Sequence, residues 1–343
     1  MMKVRMRIPL GSALVASALL LGTAAQAQTC TNRGQLDDAY CDENKDLVAD
    51  VPAKTRDPSV LVFAYTPVED PAVYENAFRP FTEYLSKCTG KRVVYYPVQS
   101  NSAEIEAMRS GRLHVAGFST GPVGFAVNMA GAVPFAGKGT EKGIEGYHLI
   151  VLVKASSPYQ KLSDLKGKRV AHTSPSSNSG GLAPKALFPD QGLKPGEDYQ
   201  ILFSGGHDKS ALGVNSGDYD AAPVASDVFE RMVARGDLKA ENFRIIYRSE
   251  RFPSSGFAYA HDLKPELAEK IKQCFYDFRF PSQMVKDFEG DDRFAPITYL
   301  KDWAVVRKVA EDSGTPFNKA AYQKELAREA EAAKKKAEGA KKP

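Results

Sequence analysis

The sequence is poor in cysteine, has no long apolar run after its first 27 residues, and carries no large excess of charge of either sign. Beyond that start, no segment reaches the 18 or so apolar residues that a membrane-spanning helix needs. A formal net charge of +4 over 343 residues gives no support for nucleic-acid binding, which requires a basic face. No CxxC pair and no cluster of cysteine with histidine occurs, which argues against a cysteine-held metal.

The first 27 residues have the three parts of a secretory signal peptide. Three cations precede an apolar core at residues 10–21, and Ala25 and Ala27 form a small-x-small cleavage site. We expect cleavage after Ala27 and export of the mature protein to the periplasm. The residues before Cys30 do not form a lipoprotein signal, so we expect no lipid anchor.

Four cysteines follow the predicted cleavage site: Cys30, Cys41, Cys88 and Cys274. An even number in an exported protein indicates two disulfide bonds, for which three connectivities exist. Cys30 and Cys41 are the natural local pair, which leaves Cys88 to bond with Cys274. The second bond would join two positions that are far apart in the sequence.

An acidic stretch lies directly after the second cysteine. Asp42, Asn44, Asp46 and Asp50 could supply the oxygen ligands that calcium takes from alternate positions of a loop. The spacing resembles the short Asp-rich calcium loops of thrombospondin type 3 repeats, except that Leu47 stands where a glycine usually makes the turn. The alternative, an acidic solvated linker, is the interpretation that we favour. A structural calcium ion is the single cofactor that the sequence suggests.

Short apolar runs alternate with amphipathic stretches from Ser59 onward. Residues 59–64 and 92–96 predict strands, 70–88 a helix between them, and a second set of the same kind extends over 148–247. This alternation is typical of an α/β fold with parallel strands. In such sheets ligands bind beyond the carboxyl ends of the strands.

A Cys88–Cys274 bond would return the end of the chain to its first part, which predicts two hinged lobes. The expected organisation is a signal peptide at 1–27, a Cys/Asp-rich extension at 28–57, a first lobe at 58–147 plus 256–320, a second lobe at 148–255 and a charged tail at 321–343. We expect the tail to be solvated and to have no role in a binding site.

The most informative stretch is residues 168–184, KRVAHTSPSSNSGGLAP. A short strand passes through a hydroxyl-rich turn to Gly180 and Gly181, where a helix can begin. The first N–H groups of a helix have no intrahelical partners and attract anions, and the hydroxyls add neutral donors. Because no Lys or Arg lies between Val170 and Lys185, this would be an anion site made of dipoles. The alternative is a serine-rich helix cap without a ligand.

A second candidate turn, residues 204–208, reads Ser-Gly-Gly-His-Asp and precedes a predicted helix. His207 could donate a hydrogen bond to an anion there, although a lone histidine in this position is more often a helix cap or a surface residue. Tyr65 follows the predicted strand at 59–64, and Ser119 and Thr120 follow another predicted strand at 113–118. Their positions place them where an α/β sheet binds ligands.

In this order, these motifs resemble the type II periplasmic receptors that bind phosphonate, phosphite or phosphate for ABC importers. The resemblance rests on the serines and glycines of the 176–181 helix start, the 204–208 turn, and the segment Asp-Tyr-Asp-Ala-Ala-Pro-Val-Ala-Ser-Asp at 218–227. It covers roughly residues 59–310. It implies a two-lobed α/β fold with a ligand cleft between the lobes, and a permease and an ATPase as partners.

The resemblance also implies which residues hold the ligand. The helix start and the histidine would contact the phosphoryl oxygens, and an aromatic residue, two hydroxyls and one carboxylate would complete the cleft. The predicted set is Tyr65, Ser119, Thr120, Ser176, Ser177, Asn178, Ser179, His207 and Asp227. The crossover at 251–256 holds no carboxylate for a ligand ammonium group, which favours a small oxyanion over an aminophosphonate.

Three functions are compatible with these motifs to different degrees. The first is a monomeric receptor that delivers a phosphorus oxyanion to an ABC importer. The alternative is a periplasmic sensor of the same fold that signals to a membrane histidine kinase. A hydrolase with a serine nucleophile and His207 as its base is disfavoured, because Ser-His-Asp chemistry needs a geometry that no spacing here indicates. We therefore expect a binding protein and not an enzyme.

Overall fold

The computed structural model describes residues 30–66 and 68–339, so the predicted signal peptide lies outside the described residues. The strands are β1 (Val60–Tyr65), β2 (Arg92–Tyr95), β3 (Val115–Phe118), β4 (Ala132–Thr140), β5 (Gly143–Ile144), β6 (Tyr147–Lys154), β7 (Arg169–His172), β8 (Gln200–Phe203), β9 (Ala221–Ala225), β10 (Phe243–Phe252), β11 (Gly256–Ala260) and β12 (Arg293–Pro296).

The α-helices are α1 (Pro71–Thr89), α2 (Asn101–Arg109), α3 (Pro122–Ala130), α4 (Ala183–Leu187), α5 (His207–Ser216), α6 (Ser226–Arg235), α7 (Pro265–Asp277), α8 (Ser282–Asp287), α9 (Tyr299–Asp302), α10 (Ala304–Asp312) and α11 (Lys319–Gly339). A π-helical turn, Asn178–Leu182, precedes α4, and short 3₁₀ turns lie at Leu162–Leu165, Pro189–Gln191 and Ala240–Asn242. Within the described residues, no helix is long and apolar enough to cross a membrane.

The strands form two separate sheets. The first sheet has the order β12-β4-β11-β3-β1-β2, with β5 beside β4, and the second has the order β10-β6-β9-β7-β8. In each sheet three strands at one end are parallel, β3-β1-β2 in the first and β9-β7-β8 in the second, and the other strand pairs are antiparallel. The chain leaves the first sheet after β5 and returns to it at β11. The predicted α/β fold of two units is confirmed, while the residue bounds of the predicted domains stay a prediction.

Helix α1 begins and ends where its sequence provides the signals. The Asp70 side chain accepts a hydrogen bond from the Ala72 N–H, Pro71 occupies the first position, and Gly90 ends the helix with a φ of 71°. The buried face of α1 joins an aromatic cluster that fills the core against the first sheet. The cluster contains Phe63, Phe78, Phe81, Phe257, Phe275 and Phe294.

The four cysteines form the two pairs that the sequence predicts. Cys30 and Cys41 close the N-terminal segment on itself, with their Cα atoms 5.6 Å apart. Cys88, at the end of α1, is bonded to Cys274 of α7, with a Cα–Cα distance of 6.0 Å. The second bond ties a helix from the start of the folded chain to one that follows the return to the first sheet.

Candidate ligand cleft

A cavity of about 690 Å³ lies between the two sheets. Among the nine predicted ligand residues, those that line it are Tyr65, Ser119, Thr120, Ser177, Asn178, His207 and Asp227. Ser176 and Ser179 are buried and do not line it. The wall also includes residues that the sequence did not indicate, among them Asn101, Tyr147, Arg231, Ser255, Arg328 and Glu329.

At the helix start after β7, the backbone of Gly180 lies very close to the side chain of Thr173. A Cβ on Gly180 would lie 2.1 Å from Thr173 Oγ1, so only glycine fits there. The Ser177 hydroxyl oxygen accepts a hydrogen bond from the Gly180 N–H at 3.1 Å, which leaves its own hydrogen free for the cleft. The first turn is the π-helical turn Asn178–Leu182, whereas we expected an ordinary helix to begin at Gly180.

His207 presents a single hydrogen-bond donor to the cleft. The Ala225 N–H donates to His207 Nδ1 at 3.2 Å, so this nitrogen carries no hydrogen and the neutral ring holds its proton on Nε2. Nε2 lies 3.5 Å from Ser177 Oγ. Burial lowers the pKa of His207 to about 4, against the opposing effect of nearby carboxylates. The ring is therefore a neutral donor at physiological pH.

Asp227 supplies an ionised carboxylate from the first turn of α6. Burial alone would raise its pKa, but the positive charges of Arg231 and Lys138 outweigh burial and lower the pKa. Its Oδ2 accepts a hydrogen bond from Arg231 Nη1 at 3.3 Å, and its Oδ1 is buried without a hydrogen-bond partner among the described residues. A buried oxygen of this kind can accept a hydrogen bond from a ligand.

Asn101, the first residue of α2, links the two sheets at the cleft. Its Nδ2 donates to Ser176 Oγ at 3.3 Å, and its Oδ1 accepts hydrogen bonds from Thr66 Oγ1 at 2.8 Å and Ser119 Oγ at 3.4 Å. The Asn101 amide is thus hydrogen-bonded to two hydroxyls of the predicted ligand set, those of Ser119 and Ser176. Its place at a helix start soon after a strand end is the signal that could have identified it.

Thr120 is engaged with the crossover that returns the chain to the first sheet. The Thr120 Oγ1 donates to the carbonyl oxygen of Pro253 at 2.9 Å, and the Thr120 carbonyl oxygen accepts a hydrogen bond from Trp303 Nε1 at 2.9 Å. Because the hydroxyl hydrogen is already used, Thr120 has only lone pairs to offer to a ligand. Its geometry suits a residue that holds the crossover in place.

The segment Gly117–Gly121 fits the Gly-x-Ser-x-Gly pattern of serine hydrolases, yet its geometry has another explanation. A Cβ on Gly117 would lie 2.6 Å from the Tyr65 and Phe257 rings, and one on Gly121 would lie 2.2 Å from the Ser176 carbonyl oxygen. The Ser119 hydroxyl donates to an amide oxygen, not to a histidine. The two glycines therefore serve close packing, and Ser119 lacks the base that a nucleophile needs.

The C-terminal helix α11 reaches the cleft, which corrects the expectation of a solvated tail without a role there. Arg328 and Glu329 line the cavity. The Glu329 carboxylate accepts hydrogen bonds from the hydroxyls of Ser100, at 3.0 Å, and Ser102. This docking is hard to predict from the sequence, because most of α11 consists of Ala, Glu, Lys and Arg.

Two aromatic residues anchor the same helix on the first sheet. Phe317 and Tyr322 pack against Phe125 of α3, at ring-centroid distances of 5.0 and 5.6 Å. One turn after Tyr322, Glu325 is 5% exposed, and burial together with the charge of Glu329 raises its pKa to about 7. The helix therefore places acidic groups at the edge of the cleft.

The Asp-rich loop uses its carboxylates to hold its own backbone. Asp42 accepts hydrogen bonds from the N–H groups of Asp46 and Leu47 at 2.9 and 3.1 Å, and Asp50 accepts from the Glu43 N–H at 2.7 Å. Leu47 has a φ of 69°, the conformation for which a glycine is usual.

Among the described residues, the Asp42, Asp46 and Asp50 carboxylates are not gathered into a metal-binding group. The group that does form joins Cys30, Cys41 and Glu43, and its two sulfur atoms are bonded to each other. The four predicted residues, Asp42, Asn44, Asp46 and Asp50, take part in hydrogen bonds within the loop itself. Calcium binding here stays a prediction.

A cleft between two α/β sheets that are connected by two crossovers is the two-lobed fold of type II periplasmic binding proteins. The family described as "ABC transporter, phosphonate, periplasmic substrate-binding protein" matches residues 63–303. The chain belongs to this family, which confirms the resemblance seen in its motifs. Its relatives are solute-binding components of ABC transporters and not enzymes, in agreement with the expectation from sequence.

Individual relatives show how far the similarity extends. The "Phosphate-import protein PhnD" of Mycolicibacterium smegmatis is 30% identical over 264 residues, which cover 73% of this chain and 81% of that protein. The "Probable ABC transporter phosphite binding protein PhnD1" of Prochlorococcus marinus is 23% identical over 272 residues, 76% of this chain and 91% of that protein. A solved structure of PhnD1 from Prochlorococcus marinus with methylphosphonate is similar in fold, with a TM-score of 0.67, 20% identity, and coverage of 75% of this chain and 99% of that one.

Proposed function

We propose that this chain binds a small phosphorus oxyanion between its two sheets and delivers it to an ABC permease and ATPase. Ser177, His207 and the helix start at Asn178 bind its oxygens, and Asp227 accepts a hydrogen bond from an oxygen that keeps its proton. The observation that carries the proposal is that neutral donors line the same cavity as a carboxylate oxygen that has no hydrogen-bond partner among the described residues. The names of the relatives, which refer to phosphate, phosphite and methylphosphonate, support this ligand class.

Charge and protonation explain how such a cleft selects its ligand. Neutral donors bind an anion without the desolvation that a buried Lys or Arg would need. The ionised Asp227 repels an anion unless that anion carries a hydrogen on the facing oxygen. Monoprotonated phosphite, phosphate and methylphosphonate satisfy this condition at neutral pH, and sulfate does not. The cleft should therefore discriminate against sulfate.

The first test is isothermal titration calorimetry of the mature protein with phosphate, phosphite, methylphosphonate and sulfate. We expect binding of at least one phosphorus oxyanion and none of sulfate. Ser177→Ala and His207→Ala should each raise the Kd about tenfold or more, because each removes a hydrogen bond to a charged ligand. Ser313→Ala, on a helix end outside the cavity, is the matched control and should bind as the wild type does.

Asp227→Asn provides the sharper test of selectivity. An amide can donate as well as accept, so this variant should gain measurable affinity for sulfate while losing its preference for protonated ligands. A wild-type protein that binds none of the phosphorus oxyanions would contradict the proposed ligand class. If sulfate is still rejected by Asp227→Asn, the carboxylate does not determine selectivity.

Export through the N-terminal signal, a periplasmic location and a monomeric state complete the proposal. The family to which the chain belongs supports the location, and size-exclusion chromatography with light scattering tests the monomer. The sensor alternative stays a prediction. It would be favoured if deleting the permease left the response to the ligand intact in cells.

A further inference from the structure

A buried lysine lies directly behind the cleft, in a place where the sequence suggested no cation. Lys138, on β4, is 4% exposed. Its Nζ lies 3.3 Å from the Tyr65 hydroxyl oxygen and 4.2 Å from the centre of the Phe288 ring. Within the described residues, no carboxylate forms an ion pair with it at 4.0 Å or less. A buried ammonium is unfavourable unless its surroundings compensate for lost water, so its position requires a reason.

The surroundings keep Lys138 charged. Burial alone would lower its pKa, but the attraction of Tyr65, Asp291 and Asp227 outweighs burial and the repulsion of Arg231, so the pKa is raised. The ring of Phe288 adds a favourable cation–π contact. The side chain is thus a permanent positive charge at neutral pH, shielded from solvent.

Hydrogen-bond direction connects this charge to the cleft. An ammonium can only donate, so the Tyr65 hydroxyl oxygen accepts from Lys138. The Tyr65 oxygen also lies 2.5 Å from Ser255 Oγ. Either hydroxyl of this pair can donate, but a phenol that accepts from a cation becomes a stronger donor. This favours donation from Tyr65 to Ser255, which leaves the Ser255 hydrogen for the cleft. Tyr65 and Ser255 both line the cavity, and Lys138 does not.

We infer that Lys138 is a positioning residue for anion binding, acting through Tyr65 to orient the Ser255 hydroxyl as a donor toward the bound oxyanion. This inference rests on the proposed function, because it needs an anion in the cleft. The arrangement places positive charge near the ligand without exposing an ammonium to it. Ser255 lies on the crossover between the two sheets. The hydrogen bonds from Lys138 to Tyr65 and between Tyr65 and Ser255 therefore connect the first sheet to this crossover.

The test is a double-mutant cycle on ligand affinity. The Kd of methylphosphonate and of phosphite is measured by calorimetry for the wild type, Lys138→Met, Tyr65→Phe, and the double variant. Lys138→Met should raise the Kd about tenfold, because it weakens a charge-assisted chain of hydrogen bonds to the ligand. In the Tyr65→Phe background, the same substitution should raise the Kd clearly less, since the hydrogen-bond connection is already broken and only the direct effect of the Lys138 charge on Asp227 is left.

Further variants separate positioning from folding. Lys138→Arg keeps the charge and should recover part of the lost affinity, while Lys138→Gln should not, and thermal unfolding identifies any variant that does not fold. Ser255→Ala should weaken binding about as much as Lys138→Met.

An equal loss of affinity from Lys138→Met with and without the Tyr65 hydroxyl would overturn the inference, as would an unchanged Kd. A wild-type protein that binds no phosphorus oxyanion, phosphate included, overturns the proposed function and the inference with it, whereas normal wild-type binding with an unaffected Lys138→Met overturns the inference alone.

Discussion

At the scale of single residues, hydrogen-bond direction determines what the cleft can accept. Ser177 and His207 each use one atom to accept from a backbone N–H, and this leaves each with a hydrogen for the ligand. Both residues lie in turns with a recognisable local sequence, so both could be predicted. The contacts of Asn101 and Ser255 could not, because their partners, Ser176 and Tyr65, come from distant segments of the chain.

A buried histidine outside the cleft leads to a prediction about acid stability. Burial, together with the charge of Lys185, lowers the pKa of His172 from 6.5 to about 3. The unfolded chain therefore takes up a proton below pH 6.5 that the folded protein does not. The stabilisation that comes from an uncharged His172 is fully present above pH 6.5. Between pH 6.5 and pH 3, the free energy of unfolding falls by about 1.4 kcal/mol for each pH unit.

Urea unfolding at pH 7, 5.5 and 4.5 tests this sign and slope. We expect the free energy of unfolding of the wild type to fall over this range, and that of His172→Gln to fall less steeply from a lower starting value. His148→Gln is the matched control, since His148 is only partly buried and bonds to a backbone carbonyl. Parallel pH dependences of wild type and His172→Gln would show that another group controls acid unfolding.

At the scale of elements, local patterns predicted most strands and helices to within a few residues. Alternating apolar runs are local features, so β1, α1 and α6 follow directly from them. Helix α3 was not assigned from sequence, because all nine of its residues are buried and it has no polar face to mark its period. The π-helical turn at Asn178–Leu182 was also not predicted, since it depends on the contact with Thr173.

That contact makes Gly180 a strict requirement. Gly180→Ala would place a methyl group 2.1 Å from Thr173 Oγ1, so we expect a loss of about 1–3 kcal/mol in the free energy of unfolding and a large loss of ligand affinity. Thermal unfolding and calorimetry measure the two effects. Ser179→Ala, in the same turn and outside the cavity lining, should change both much less. Equal effects of the two variants would argue against a steric cause.

At the scale of the whole molecule, contacts between distant segments build the cleft. The Cys88–Cys274 bond and the two crossovers bring the late part of the chain back to the first sheet. Helix α11 then reaches the edge of the cavity, with Glu329 bonded to the hydroxyls at the start of α2. The composition of α11 indicates a solvated helix, and only its docked aromatic residues reveal that it belongs to the folded body.

Docking of α11 should depend on pH through Glu325. The pKa of this carboxyl is raised to about 7 by burial and by Glu329, with Ser176 and Arg328 acting in the opposite direction, and Lys185 of α4 lies near enough to interact. The docked helix holds the proton more tightly than the free one. Docking is therefore strongest below the ordinary pKa of 4.5 and weakens as the pH rises through 7.

Hydrogen exchange of residues 319–331 at pH 6 and pH 8, corrected for the intrinsic exchange rate, measures this effect. We expect protection to fall in the wild type at pH 8 and to change less in Glu325→Gln, which stays neutral. Glu311→Gln, an exposed position on α10, should behave as the wild type does. The same loss of protection in Glu325→Gln would show that its ionisation does not control docking.

The sequence alone determined the class of fold, the family and the two turns that face the ligand, because each depends on short-range patterns of apolar, glycine and hydroxyl residues. Tertiary structure decided which side chains share the cleft, how their hydrogens are oriented, and that a buried lysine and a C-terminal helix belong to its surroundings. The physical reason is that hydrogen-bond direction and burial depend on partners from distant segments. Such partners become neighbours only when the two sheets and the returning chain are assembled.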